Sequence, residues 1–353
     1  MATTATTIRE QLEADEEAIL SPFAQKSRAS RGRQRPEPPD PVRPIFQHDR
    51  DRIIHSKAFR RLAGKTQVFL APEGDHYRTR ITHTLEVAQI ARTVTRALRL
   101  NESLTEAIVM GHDLGHTPFG HAGEKVLARL MPDGFHHVKQ SLRVVEVLER
   151  EGRGLNLSQE VRDGILKHSK GKGHIISDNP NLMAMTLEGQ IVRISDIVAY
   201  VNHDLDDAVR GRVINAGDVP RGLLETLGAS HGDRIARLVN DMVSASRLDE
   251  KRQIRMSEEI LSALIALRDY LYEAVYEREE IRGEFEKAQR IIAELWDYFH
   301  AHADEFRAKH WPKGVPESDG LSRAIADFIT GMTDRYALRV YEEYFLPRRW
   351  PVY

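Results

Sequence analysis

The chain has 353 residues, of which 41% are hydrophobic and 29% charged, and its formal net charge at pH 7 is −2. These values predict a folded, water-soluble protein and give no overall electrostatic reason to expect nucleic acid or an anionic membrane as the main partner. The absence of cysteine excludes disulfides and thiolate metal sites, so a transition metal would need imidazole and carboxylate ligands.

The N-terminal region predicts a short charged helix at residues 8–20, followed by an arm. Residues 27–44 are first basic and then rich in proline, which indicates an extended, solvated arm or linker. The first residues lack the apolar core of a secretory signal, and no later apolar run approaches the ~20 residues that a membrane span needs. We therefore expect a cytoplasmic protein.

From residue 49 onward, apolar residues recur at helical spacing, whereas alternating strand patterns are scarce. The segment KTQVFL permits one short hairpin around residues 64–70. We predict an all-α fold with an N-terminal helix and arm (1–48), a catalytic core (49–210) and a C-terminal helical region (211–353). Helices are predicted near residues 103–114, 121–131, 139–150, 158–168, 182–209, 219–228, 232–247, 253–277, 284–308 and 320–345.

Histidines are concentrated in the predicted core. Eight of the 16 lie within residues 76–168, where even spacing would place about four. Adjacent His112 and Asp113 close an apolar helix that is predicted to be buried. Burying an imidazole and a carboxylate costs several kcal/mol unless something pairs with them. A metal ion is a suitable partner for both.

A second helix follows closely on the first. Gly115 and Pro118 end the helix of His112, and the next one begins near Gly120. His121 and Glu124 then lie one turn apart on the same face. The two helix ends are therefore predicted to converge on one place.

Other polar residues occupy apolar helices upstream and downstream. His83 starts an amphipathic helix, and Asp196, Tyr200 and Asp204 share one face of a strongly apolar helix. Taken singly, His83 has the alternative role of a helix cap, and Asp196 that of a partner for Arg193. Taken together, several buried acids and imidazoles favour one metal site.

The order of His83, His112–Asp113 and Asp196 resembles the H…HD…D signature of HD-domain phosphohydrolases. The match is dense over residues 49–209 and weaker at FITGMTDRYA (328–337). Three longer blocks resemble the deoxyguanosinetriphosphate triphosphohydrolase-like proteins: RIIHSKAFRRLAGKTQVF (52–69), RTRITHTLEVAQIAR (78–92) and GHDLGHTPFGHAGE (111–124).

This resemblance implies an HD-domain helical bundle with an additional C-terminal helical layer, and hydrolysis of deoxynucleoside triphosphates (dNTPs) to deoxynucleoside and tripolyphosphate. The implied metal ligands are His83, His112, Asp113 and Asp196. The implied catalytic residues are His116, His121, Glu124 and His137. The implied substrate contacts are Arg80 to the triphosphate, Gln67 to the sugar edge, and Tyr200 with Asp204 to the deoxyribose and phosphate side.

The residue types agree with that chemistry. A dNTP needs its negative charge neutralised, and the departing 5′-oxygen needs a proton, which a histidine can deliver. His121 held by Glu124 is our first choice for the donor, and His116 is the competing candidate. One divalent metal is expected, and two imidazoles with two carboxylates suit Mn, Fe, Ni or Zn better than Mg.

Two alternatives remain open. One is another HD phosphohydrolase that acts on a nucleoside monophosphate or on (p)ppGpp. The other is a catalytically idle dNTP sensor in which the basic stretch 26–35 binds nucleic acid; the presence of His116, His121 and Glu124 favours the enzyme. The resemblance also implies a homo-oligomer, often a hexamer, and dNTP as an allosteric effector, whereas base preference depends on pocket shape.

Overall fold

The computed structural model describes residues 6–67, 78–169, 175–246, 248 and 252–347. Over this part of the chain no strand forms, and the predicted all-α class is confirmed. None of the described helices is both long and apolar enough to cross a membrane. The α-helices are α1 (Ile8–Ile19), α2 (Ile45–Ile54), α3 (Lys57–Arg61), α4 (Arg80–Ala97), α5 (Glu102–His112), α6 (His121–Leu130), α7 (His137–Arg143), α8 (Glu149–Gly152), α9 (Gln159–Lys167), α10 (Leu187–Arg210), α11 (Arg221–Leu227), α12 (His231–Ala245), α13 (Glu258–Leu271), α14 (Glu279–Ala301), α15 (Ala303–Lys309), α16 (Leu321–Thr330) and α17 (Asp334–Phe345).

Side-chain caps define where several helices begin. At α1, Thr7 accepts a hydrogen bond from the Glu10 amide, and the Glu10 carboxylate accepts one from the Thr7 amide. At α10, the Thr186 hydroxyl accepts a hydrogen bond from Gly189 N at 3.1 Å. Such caps stabilise a helix by about 1 kcal/mol because they satisfy amides that have no partner within the helix. The start of the long α10 is thereby fixed.

The structure differs from the sequence prediction at two helix breaks. The predicted helix 284–308 is interrupted at His302, whose backbone is not helical (φ −115°, ψ 49°). The predicted helix 320–345 is divided by a turn, after which Thr333 caps α17 by accepting from Tyr336 N. The hairpin predicted around residues 64–70 lies partly outside the described residues; within them, Thr66 forms an isolated bridge with Thr79.

The chain forms two compact units, each assembled from three separate segments. The first unit combines the described residues of Met1–His55, His83–His112 and Leu155–Arg278. The second unit combines those of Ser56–Thr82, Asp113–Gly154 and Glu279–Tyr353. The domain boundaries predicted near residues 48 and 210 remain predictions.

In the first unit, α5 packs against α2, α9 and α10, and α10 also packs against α12 and α13. The contact between α5 and α9 is close because glycines line it. A Cβ at Gly111 would lie 2.4 Å from Ile165 Cδ1, and a Cβ at Gly164 would lie 2.5 Å from Ile108 Cδ1. The two glycines therefore permit a helix contact that brings the C-terminal ends of both helices together.

In the second unit, α14 packs against α6, α15, α16 and α17. Each large apolar side chain buried there contributes about 2 kcal/mol through removal of its surface from water. The core of this unit fixes α6, which carries two of the predicted catalytic residues. Its buried members include Phe119, Val126, Leu127, Ile292, Leu295, Trp296, Phe299, Phe306, Ile325 and Ile329.

The interpretation of the basic arm as solvated is wrong at Arg33. Its side chain is buried, pairs with the buried carboxylate of Asp49, and donates to Asn156 O at 2.6 Å. Glu160 accepts hydrogen bonds from Ser30 Oγ at 2.9 Å and from the Arg31 amide at 2.7 Å. Because these contacts lie within the first unit, this part of the arm is a packed element of it.

Candidate metal centre and active site

Three of the four predicted metal ligands converge in the first unit. His83 lies near the start of α4, His112 at the end of α5, and Asp196 on α10. Asp196 Oδ1 lies 3.1 Å from His83 Nε2 and 3.9 Å from His112 Nε2. Both imidazoles are buried and Asp196 is partly buried. The sequence prediction thus selected residues from three helices that meet.

The hydrogen bond of His112 determines which of its nitrogens is available to a metal. His112 Nδ1 lies 2.6 Å from Val109 O, and a carbonyl oxygen can only accept. In the neutral ring, Nδ1 therefore carries the proton and Nε2 carries the lone pair. Since Nε2 is the nitrogen that faces Asp196, the ring is oriented as a metal-binding histidine would be.

The donor set of the first unit fits a divalent transition metal. Burial alone would raise the pKa of Asp196, but its close contact with His83 and the electrostatic influence of both histidines hold it well below its usual value. The carboxylate is therefore ionised at neutral pH. Imidazole nitrogen and carboxylate oxygen are suitable ligands for Mn, Fe, Ni or Zn.

Sequence reasoning missed two further histidines beside this cluster. His168 follows α9, hydrogen-bonds Ile165 O through Nδ1 at 2.7 Å, and has its ring centroid 4.9 Å from that of His112. His203, on α10, has its ring centroid 5.1 Å from that of His83. Its position two helical turns after Asp196 was a signal in the sequence, because residues seven apart share a helix face.

In the second unit, Asp113 contacts the side chains of Arg80 and His116. Arg80 Nη1 donates to Asp113 Oδ2 at 2.8 Å, and His116 Nε2 lies 3.1 Å from Asp113 Oδ1. All three side chains are buried. Arg80, which was predicted to contact triphosphate, is therefore fixed in place by the fourth predicted metal ligand.

The predicted catalytic residues His116, His137 and Glu124 also meet in the second unit. The rings of His116 and His137 stack, with centroids 4.1 Å apart. Glu124 Oε1 lies 2.9 Å from His137 Nδ1, whereas Glu124 Oε2 lies 3.5 Å from His121 Nδ1. His121 is 74% exposed, and its predicted contact with Glu124 is present but longer than the contact between Glu124 and His137.

The charge states of this group follow from its surroundings. Burial would raise the pKa of Glu124, but its contacts with His121 and His137 prevail and hold the pKa well below its usual value. Burial lowers the pKa of His116 far below that of a free histidine, and Arg80 lowers it further. An ionised Glu124 can thus stabilise a protonated histidine, whereas His116 is neutral at pH 7.

The turn before α6 approaches Arg80 and Gln67 closely. Gly120 has a φ of +54°, and a Cβ there would lie 3.0 Å from Arg80 Nη2 and 3.3 Å from Gln67 O. The positive φ therefore favours glycine, and the space for a larger residue is tight. Gln67 Oε1 is buried and has no hydrogen-bond partner among the described residues.

Two residues that support this region were not predicted. Lys65 is buried and donates to the backbone oxygens of His116 and Thr330. Asp334 accepts from Thr66 N at 2.9 Å and from Phe119 N at 2.9 Å. The weaker resemblance at residues 328–337 was the available signal for Asp334.

Tyr200 and Asp204 lie on α10, the helix predicted to carry both, in the first unit. Burial raises the pKa of Tyr200, and the neighbouring Asp196 raises it further, so its phenol stays protonated. Asp204 is 2% exposed, and its Oδ2 accepts a hydrogen bond from the hydroxyl of Tyr276. Tyr276 was not singled out from the sequence.

Comparison with known proteins agrees with this arrangement. Residues 80–201 match the HD domain, and residues 254–343 match the phosphohydrolase-associated domain. The first match includes all four predicted metal ligands. The helical fold and the histidine–aspartate cluster therefore define a phosphohydrolase of the HD class.

Relatives match over nearly the whole chain. A protein from Caldanaerobacter subterraneus subsp. tengcongensis named deoxyguanosinetriphosphate triphosphohydrolase-like protein is 55% identical to this chain over 97% of both chains. A protein of the same name from Desulfatibacillum aliphaticivorans is 51% identical over 97% of this chain and 99% of the relative. One from Clostridium perfringens is 43% identical over 97% of this chain and 98% of the relative. The chain belongs to the family of deoxyguanosinetriphosphate triphosphohydrolase-like proteins.

Proposed function

We propose that this protein hydrolyses dNTPs to deoxynucleoside and tripolyphosphate with the help of one divalent metal ion. The observation that supports this most directly is the convergence of His83, His112 and Asp196 in a chain of this family. The water oxygen would bond to the α-phosphorus, the bond between that phosphorus and the 5′-oxygen would break, and the 5′-oxygen would leave with a proton.

The proposed metal ligands are His83, His112, Asp196 and Asp113, the residue that directly follows His112. When bound, the metal would supply positive charge at the phosphate oxygens and ease attack at phosphorus. Arg80, which Asp113 holds, is proposed to bind the triphosphate through other N–H groups of its guanidinium.

The proton for the 5′-oxygen is proposed to come from His121. Its exposure leaves the ring free to take a proton from solvent and to approach a bound nucleotide. The ionised Glu124 would stabilise the protonated ring, and distances such as 3.5 Å often shorten when substrate binds. The buried, neutral His116 is a poorer donor, and His137 would keep Glu124 in position.

The sugar is proposed to contact Gln67, Tyr200 and Asp204. The buried Oε1 of Gln67 offers an acceptor for a hydroxyl of the nucleotide. Tyr200 lies one turn after Asp196 on α10, so a metal bound by Asp196 would place the nucleotide near its ring.

The test is to incubate the purified protein with each dNTP and NTP, with Mn or Mg, and to identify every product by chromatography. Deoxynucleoside and tripolyphosphate in equal amounts are expected. Formation of dNMP and pyrophosphate would refute the proposed bond cleavage, and turnover of (p)ppGpp or dNMP without dNTP turnover would favour another HD activity. Binding of dNTP without any product would favour a sensor.

Assembly, regulation and location remain predictions from the family resemblance and the sequence. We expect a homo-oligomer, which in the proteins that this chain resembles is often a hexamer, activation by a dNTP, and a cytoplasmic location. Light scattering with and without dNTP would test the first of these, and rates measured with pairs of dNTPs would test the second.

A further inference from the structure

His203 lies directly against the proposed metal ligand His83 within the first unit. The two rings are nearly perpendicular, at 83°, and His83 Nδ1 lies 2.9 Å from His203 Nε2. Both side chains are buried, with His203 0% exposed. Two ring nitrogens at this distance form a hydrogen bond only when one donates and the other accepts.

The carboxylate on the other side of His203 favours one of the two ring nitrogens as the acceptor. His203 Nδ1 lies 2.7 Å from Asp204 Oδ1, although the angle is not that of a good hydrogen bond. The second oxygen of Asp204 accepts from the Tyr276 hydroxyl, which holds the carboxylate in place. A carboxylate so close favours a proton on Nδ1 of His203. In the neutral ring, Nε2 of His203 is then the acceptor.

When His83 binds a metal through Nε2, that nitrogen carries the lone pair, so the proton of His83 is on Nδ1 and faces the accepting Nε2 of His203. Nε2 of His83 is the nitrogen that lies 3.1 Å from Asp196 Oδ1. We propose that His203 is a positioning residue that accepts a hydrogen bond from His83 Nδ1 and so fixes the tautomer and ring orientation with which His83 binds the metal. This inference rests on the metal site of the proposed function.

Metal affinity is the appropriate measurement, because partners of this kind orient metal-binding histidines and their removal weakens metal binding by about 10- to 100-fold. His203→Leu fills similar space but cannot accept a hydrogen bond. His203→Gln retains an acceptor at a similar reach. We expect Mn²⁺ affinity, measured by chelator competition, to fall by about 10- to 100-fold in His203→Leu and to recover to within about fivefold of wild type in His203→Gln.

Thr105→Val is the matched control. Thr105 and Thr95 are buried and 2.9 Å apart on α5 and α4, the helices that carry two proposed ligands. The variant loses a buried hydrogen bond in the same unit, and we expect its Mn²⁺ affinity to remain within about twofold of wild type. An equal loss of affinity in Thr105→Val would overturn the inference, because the effect would then be general destabilisation.

Two results separate failure of the inference from failure of the metal site. If wild type binds Mn²⁺ and His83→Ala does not, but His203→Leu binds as well as wild type, the inference is wrong and the site stands. If wild type binds no more Mn²⁺ than His83→Ala, both are wrong.

A measurement on the unmodified protein covers the case in which His203→Leu does not fold. In Zn²⁺-loaded protein with ¹⁵N-labelled histidine, long-range ¹H–¹⁵N spectra report which ring nitrogen carries the proton. We expect His203 to be protonated on Nδ1 and His83 on Nδ1, with assignments from the His203→Gln spectrum. A proton on Nε2 of His203 would overturn the inference.

Discussion

Glu124 holds His137 at 2.9 Å, and the more exposed His121 stands 3.5 Å from the same carboxylate. The carboxylate therefore contacts a buried ring and a solvent-facing ring at once. His137 in turn stacks on His116. A change at Glu124 is expected to disturb several rings, whereas a change at His121 removes one.

We predict that His121→Ala and Glu124→Ala each lower kcat by about 10²-fold or more without loss of bound metal, since each removes part of the assistance to proton transfer. Glu124→Ala should have the larger effect because it also releases His137. Initial rates with dGTP at saturating Mn²⁺, together with elemental analysis of both variants, provide the measurement.

Lys125→Ala is the control for these variants, because Lys125 is exposed on the same helix, α6. Its kcat should match that of wild type. If both His121→Ala and Glu124→Ala retain near-normal kcat, the proton donor must be sought at His116 or His137.

A second prediction concerns the metal ligands. Asp113→Ala and Asp196→Ala should each abolish bound metal while the protein stays folded, because each removes a charged ligand from the proposed site. Metal content by elemental analysis and helicity by circular dichroism check this. Asp206→Ala, a change on the solvent-facing part of α10, should keep full metal content. Full metal occupancy in Asp113→Ala would remove that residue from the ligand set.

A third prediction concerns the buried carboxyl of Glu188 near the start of α10. Its Oε1 accepts from the backbone amides of Gln25 at 3.0 Å and Asn101 at 2.9 Å, which ties two segments of the first unit to this helix. Burial nevertheless raises the pKa of Glu188 to about 7, and Glu16 raises it further. In the unfolded chain the pKa returns to an ordinary value near 4.5.

Between pH 4.5 and about pH 7, Glu188 is protonated in the folded protein and ionised in the unfolded chain. The contribution of Glu188 to the free energy of unfolding therefore falls as the pH rises from about 4.5 to about 7, and it is constant at higher pH. Glu188→Gln keeps an acceptor for both amides and removes the ionisation. The variant should match wild type near pH 5 and exceed it at pH 8 by on the order of 3 kcal/mol. Urea unfolding at pH 5, 6, 7 and 8 measures the difference.

Glu225→Gln, a change to an exposed side chain on α11, provides the comparison and should show no such trend. A difference between Glu188→Gln and wild type that is constant over this pH range would contradict the raised pKa.

Local sequence patterns were sufficient to predict the all-α class and to select the candidate site residues within the predicted core. Apolar periodicity located most helices, and the order of His83, His112 and Asp196 selected residues on three helices that meet in the first unit. The same periodicity failed at His302 and Gly331 because apolar residues continue on both sides of each break, whereas the backbone of His302 is not helical and α16 ends at Thr330.

Contacts between distant segments could not be predicted in this way. Tyr276 lies 72 residues from Asp204, and Asp334 lies 268 residues from Thr66. The spacing of apolar residues along a helix does not indicate which other helix will pack on it. The partner of Asp204 therefore emerged only from the structure.

The last prediction concerns the discrimination between deoxyribose and ribose. Tyr200 lies on α10 one turn after Asp196, so its ring is expected to face the sugar of a nucleotide bound at the metal site. A ring packed against C2′ would leave no space for a 2′-hydroxyl and no water to hydrate it, whereas an apolar wall alone rejects an added hydroxyl by only about 10²-fold.

Tyr200→Ala should therefore raise kcat/KM for GTP relative to that for dGTP and leave the bound metal in place. Tyr200→Phe is the matched variant: it keeps the ring and loses only the hydroxyl, so a steric gate predicts that it discriminates as wild type does. Relaxed discrimination in both variants would assign the selection to the phenol hydroxyl. An unchanged dGTP-to-GTP ratio in an active Tyr200→Ala enzyme would show that selection resides elsewhere, and Gln67, whose Oε1 is buried in the second unit, would be the next residue to test.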